Sequence, residues 1–150
     1  MIDNFESQKD KVSKWFLELR NTIVASFERL EDTQNTGLFS ENPAGRFVVS
    51  KTKRNSELEV DSGGGLMSIM RNGRVFEKVG VNISTVYGPL EVRTKNVMQG
   101  RKTSHEIGQS SEFWASGISV VAHMQNPHCP AVHMNTRMFW TPNSWWFGGG

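Results

Sequence analysis

From Phe113 to Gly150 the chain carries one charged side chain, Arg137, and no carboxylate. Thirty-eight residues so poor in charge belong inside a protein or around a cavity, not on an ordinary solvated surface. The same stretch holds three of the four histidines, four of the five tryptophans and the single cysteine, Cys129. Its side chains also alternate. On a strand from Phe113 to Met124, Gly117, Ser119, Val121 and His123 share one face, and Ile118, Val120 and Ala122 share the other. Asn126-Pro127-His128-Cys129-Pro130 breaks this run. A further strand follows from Ala131 to Trp140, with Ala131, His133, Asn135 and Arg137 on one face and Val132, Met134, Thr136 and Met138 on the other. Thr141 to Ser144 turns, and Trp145 to Phe147 starts another strand. If the two polar faces point the same way, Ser119, His123, His133, Asn135 and Arg137 converge on one surface.

Upstream, residues 4–32 have helical periodicity. Val12, Trp15, Phe16, Leu19, Ile23, Phe27 and Leu30 recur at steps of three and four and predict the buried stripe. Asp32 to Gly45 lacks periodicity and reads as a loop. Phe47-Val48-Val49 starts a short strand, and Lys51 to Ser62 reads as a loop or exposed edge. Gly63-Gly64-Gly65 reads as a flexible approach to a strand or a substrate-lining loop, with Leu66 to Met70 as the strand itself. Arg71-Asn72-Gly73-Arg74 has the Asn-Gly chemistry of a tight hairpin. Val75 to Tyr87 is a second long strand with a bend at Gly80, and Gly88 to Ser111 is polar with weak periodicity. One helix followed by several antiparallel strands predicts an α+β fold.

With 150 residues the chain can bury a single core, and a net charge of +2 predicts neither nucleic-acid nor membrane binding. One cysteine excludes an internal disulfide framework. No long apolar run predicts a membrane span, and Asp3 and Glu6 replace the basic start of a secretion signal, so a soluble cytoplasmic protein is expected. An aromatic run followed by Gly148-Gly149-Gly150 reads as the middle of a fold.

The polar residues of the charge-poor stretch suggest several chemistries. Arg137 offers a fork of donors matched to a carboxylate or phosphate, or it pairs with a distant acid of the same chain. Asn135 and Ser119 both donate and accept. His133 and His123 are candidates for proton transfer or metal ligation, or are hydrogen-bonded structural residues. His123, His128, Cys129 and His133 offer zinc-type donors in a spacing that matches no common zinc signature. Cys129 is also a candidate nucleophile. Gly63-Gly64-Gly65 lacks the Gly-Lys-Ser/Thr ending of a phosphate-binding loop.

Three blocks together carry a resemblance. They are Gly117-Ile118-Ser119-Val120-Val121-Ala122-His123, then Asn126-Pro127-His128-Cys129-Pro130-Ala131-Val132-His133-Met134-Asn135-Thr136-Arg137, then Trp145-Trp146-Phe147-Gly148-Gly149-Gly150. With Gly63-Gly64-Gly65-Leu66-Met67-Ser68 and the segment from Val75 to Ser84, the chain resembles oxygen-dependent coproporphyrinogen III oxidase, in its alphaproteobacterial form, over residues 8–150. The section from Glu91 to Glu112 follows that pattern loosely.

The resemblance implies oxidative decarboxylation of two propionates of coproporphyrinogen III to vinyl groups, giving protoporphyrinogen IX in haem biosynthesis. O2 is then the acceptor. It implies an antiparallel β-sheet flanked by helices, no organic cofactor, a divalent metal only in some members, and a homodimer. It implies substrate contacts at Ser119, Asn135 and Arg137, a proton donor at His133, and metal ligation by His123 with His133. Family members are longer than 150 residues, so the chain is expected to be the N-terminal part of a single domain lacking its C-terminal half. The alternative is an inactive truncated remnant that binds tetrapyrrole or a full-length partner.

Overall fold

A computed structural model describes residues 3–54, 61–90, 112–142 and 144–150. A single long helix, α1 (Asp3–Thr33), precedes six strands: β1 (Val48–Lys53), β2 (Gly63–Arg71), β3 (Phe76–Pro89), β4 (Glu112–Met124), β5 (Val132–Thr141) and β6 (Ser144–Gly149). The strands form one antiparallel sheet in chain order, β1 to β6. Among the described residues one helix covers one face of the sheet, the single helix that the periodicity predicts, where the resemblance implies flanking helices. No helix among them is long and apolar enough to cross a membrane.

The helix-covered face is the apolar face of the alternation. Met70 of β2, Val79 and Val81 of β3, and Ile118, Val120 and Ala122 of β4 are buried there with Phe16 of α1 and Phe76. Val12, Leu19, Ile23, Val24 and Phe27 pack around them from the helix. Burying Phe16 contributes about 3–5 kcal/mol, the usual cost of truncating a buried aromatic to alanine. The buried stripe deviates from the one predicted. Trp15 and Leu30 are about half exposed, whereas Arg20 and Glu31 are buried. Arg20 directs Nε and Nη2 to the Ser68 hydroxyl at 3.0 and 2.7 Å.

Glu31 explains why the β2–β3 connection is wider than a two-residue turn. Its carboxylate accepts the backbone N–H groups of Gly45, Arg74, Val75 and Phe76 at 2.5–3.0 Å. The N–H groups of Arg74, Val75 and Phe76 turn inward to the helix instead of closing a minimal hairpin. Asn72 takes the left-handed conformation (φ 53°) the turn requires. A Cβ on Gly73 would sit 2.4 Å from a Glu31 oxygen, so only glycine fits beside the carboxylate.

Two further expectations change. Gly63-Gly64-Gly65 is the first third of β2, paired with Val86, Thr85 and Ser84, rather than a loop. The irregularity in β3 is a bulge between Phe76 and Lys78, while Gly80 pairs regularly with Ile69 and Val121. β1 is exposed along its whole length, as expected for an edge. The polar segment after Gly88 lies mostly outside the described residues.

Candidate functional site

The opposite face of the sheet is open among the described residues, and the register determines what it displays. Cross-strand partners share a face. One row runs Gly65–Ser84–Gly117–Arg137–Gly148 across five strands. The next runs Met67–Asn82–Ser119–Asn135, and the third Ile69–Gly80–Val121–His133. The fourth is Arg71–Lys78–His123. Rows are two residues apart, about 7 Å, and neighbouring strands are about 4.8 Å apart. The five residues that the alternation grouped therefore do lie on one surface.

Their spacing is graded. Ser119 and Asn135 are direct partners and half-buried. Arg137 lies one row away and His133 one row away on the other side, both exposed. His123 is exposed at the far end. Arg137 is flanked across the sheet by Gly117 and Gly148, which contribute no side chain of their own, and on the β6 side the Trp146 indole lies over Gly148, 3.4 Å from where a Cβ would stand. A Cβ on Gly117 would stand 2.6 Å from the Thr136 carbonyl oxygen, which keeps that floor flat. With Asn135, Trp146 and Gly148 to Gly150, Arg137 lines an open concavity of about 540 Å³.

The face is electrostatically one-sided. From β2 to β6 no register position on it is acidic, and Glu77 stands in the bulge at its margin. Among the described residues the ion pairs are Lys9–Glu6 and Arg46–Asp32, so no acid neutralises Arg137. Its exposure removes the need for a buried counter-charge and leaves its donors open to an anion. Below the Arg137 row the face becomes apolar. Phe139 stacks between Phe113 and Trp146, with centroids 5.6 and 5.8 Å away, and Ala115 and Leu90 complete this cluster. A cation and amides beside an aromatic floor suit a flat or flexible apolar ring carrying carboxylate arms.

Of the four candidate metal donors, the geometry brings two to one surface and sets the other two apart. Among the described residues no three His, Cys, Asp or Glu side chains approach closely enough to hold a metal. His123 and His133 stand on the same face of adjacent strands, whereas His128 and Cys129 line a separate concavity with Leu38, Phe39 and Met124. Cys129 is exposed there, and no base of the open face lines the same concavity.

Sequence reasoning left out β3's contribution. Lys78, Asn82 and Ser84 have the same phase as Ser119 and Arg137. The signal was available, because alternation along Val75–Tyr87 places the three on one face. Only the register shows which face that is.

A family model for coproporphyrinogen III oxidase matches residues 11–150. A protein of Rickettsia peacockii (strain Rustic), described as oxygen-dependent coproporphyrinogen-III oxidase, is 43% identical over 144 residues, 95% of this chain and 46% of that protein. One of Rickettsia bellii (strain RML369-C) with the same description is 39% identical over 147 residues, 97% of this chain and 47% of that protein. The chain spans about half the length of the curated relatives it matches.

Proposed function

The chain belongs to the coproporphyrinogen III oxidase family, and from that premise we propose that its open sheet face takes part in the oxidative decarboxylation of coproporphyrinogen III to protoporphyrinogen IX. The observation that carries the reading is the setting of Arg137. It is an exposed guanidinium between two glycines, on a face whose register positions hold no carboxylate. The substrate has four carboxylate arms on an apolar ring. Arg137 and Asn135, with Ser119 beside Asn135, hold one propionate and so orient its methylene carbons for reaction. Each reacting propionate loses carbon dioxide and a hydride equivalent, which O2 accepts. The relatives' description as oxygen-dependent supports that acceptor. His133, one row from Asn135, handles a proton. No step is routed through a metal; His123 and His133, on the same face of adjacent strands, are the residues that would hold one. In this reading the described residues are one part of a single, longer domain that acts as a homodimer without an organic cofactor.

The test measures turnover of coproporphyrinogen III and binding of the fluorescent, air-stable coproporphyrin III. Arg137→Ala is expected to raise KM and weaken porphyrin binding about tenfold or more, the range for a hydrogen bond to a charged group. Unchanged affinity removes the role given to Arg137. His133→Ala is expected to bind normally and turn over slowly; wild-type turnover removes the proton role. Porphyrin binding with no turnover by the parent chain assigns it binding alone.

A further inference from the structure

Asn82 occupies the row that also holds Ser119 and Asn135, at the β3 end of a line of three polar side chains. Its Oδ1 accepts the backbone N–H of Ser68 at 3.1 Å. That bond fixes the orientation of the amide, because an amide has one acceptor oxygen and its two donors sit on the other side. Nδ2 therefore faces away from β2, above Gly80, where a Cβ would lie 3.5 Å from it. Among the described residues the Nδ2 donors have no hydrogen-bond partner, and the side chain is half-buried. A half-buried donor pair, held in place and unused, on a face with no acidic register position is suited to receive an anion.

We propose that Asn82 is a further substrate contact, donating through Nδ2 to a carboxylate arm of the tetrapyrrole. The inference rests on the reading of the open face as the substrate surface. The row supplies the geometry. Asn82, Ser119 and Asn135 are spaced by about 4.8 Å each, so the line is about 10 Å long. Arg137 lies one row off its far end. Asn82 and Arg137 thus serve opposite sides of the same ring, and two arms are held at once. Lys78, in the Arg71–Lys78–His123 row, lies in phase with Asn82 on β3 and adds positive charge on that side.

Asn82→Asp is the informative variant. An aspartate keeps an oxygen for the Ser68 N–H and loses the Nδ2 donors, replacing them with a negative charge facing the arm. Binding of coproporphyrin III is followed by fluorescence, and folding by thermal melting. The proposal expects binding at least tenfold weaker with a melting temperature within about two degrees of the parent. In parallel, the assigned Asn82 side-chain amide resonances of the wild-type protein are followed during porphyrin titration, and they are expected to shift. This second readout decides the matter if the variant fails to fold. Asn82→Asp binding as tightly as the parent, while Arg137→Ala binds weakly, overturns the role of Asn82 and leaves the surface reading standing. Amide resonances that stay in place at saturating porphyrin do the same. No porphyrin binding by the parent overturns both.

Discussion

Glu31 is the residue whose environment is most specific and least visible from the sequence. Its side chain is fully buried and accepts four backbone N–H groups from two loops. Burial alone would raise its pKa, and the hydrogen bonds from Gly45, Phe76, Arg74 and Val75 outweigh that and hold it below its ordinary value of 4.5. The folded carboxyl thus titrates lower than the unfolded one. Its contribution to stability is complete above pH 4.5 and is lost as the pH falls through the native value. Glu31→Gln replaces an acceptor oxygen with an amide donor aimed at other donors. The expected loss is about 2–4 kcal/mol at pH 7, from backbone groups left unsatisfied. Melts of parent and variant between pH 3 and pH 7 check this. The gap between them narrows as the pH drops below 4.5, and a gap independent of pH would refute the role of the charge. The sequence hides this residue because periodicity is read from apolar positions. The inward line actually runs Phe16, Arg20, Ile23, Phe27, Glu31, with ordinary helical spacing: Phe16 and two charged members are buried, and Ile23 and Phe27 are half-buried between them. Leu30 and Trp15, though apolar, fall to its sides.

At the level of elements, the strands were legible where side chains alternate and illegible where glycine removes the signal. β4 and β5 begin and end within about a residue of the bounds that alternation predicts, and so does their shared polar face. Gly63-Gly64-Gly65 has no side chains to alternate and reads as a loop, yet pairs on both sides: Gly64 and Gly65 with β1, and all three with β3. The register itself is set by contacts between strands distant in sequence, so the membership of Lys78, Asn82 and Ser84 in the open face needed the structure. Glycine also separates two kinds of strand position. A Cβ on Gly117 would meet the Thr136 carbonyl oxygen at 2.6 Å and Arg137 Cα at 3.2 Å, backbone atoms that cannot rotate away. A Cβ on Gly80 would make only ordinary contacts, 3.4 Å to Ile69 and 3.5 Å to Asn82. Gly117→Ala must displace β5, and is expected to cost about 1–3 kcal/mol and to weaken porphyrin binding by moving Arg137. Gly80→Ala is expected to be neutral or slightly stabilising, since alanine loses less backbone freedom on folding. Denaturant unfolding of the two variants checks the contrast; equal losses would mean that close approach is not what selects glycine at Gly117.

For the whole molecule, a net charge of +2 conceals a division of charge between surfaces. Residues 1–60 carry 10 acidic side chains against 9 basic, while Arg71, Lys78 and Arg137 stand on the open sheet face with no acid at a register position. Arg71, Lys78 and His123 are direct cross-strand neighbours, and Arg71 and Lys78 are like charges side by side, an arrangement that weakens a sheet. A carboxylate-bearing ligand would offset that repulsion. Because Arg71 and Lys78 are exposed and act at a distance, each contributes modestly, up to about 1 kcal/mol, and salt screens them. The Debye length falls from about 10 Å at 0.1 M salt to about 3 Å at 1 M. Affinity for coproporphyrin III is therefore expected to drop about three- to tenfold over that range. The double variant Arg71→Gln, Lys78→Gln separates this long-range attraction from direct contact. It should bind more weakly than the parent at 0.1 M, match it at 1 M, and melt at a slightly higher temperature without ligand because the like-charge pair is gone. Fluorescence titrations at three salt concentrations, with ligand-free melts, measure all three effects. A double variant whose affinity depends on salt as steeply as the parent's would mean that the far row does not attract the substrate, and would leave Arg137 and the amide row to bind it alone.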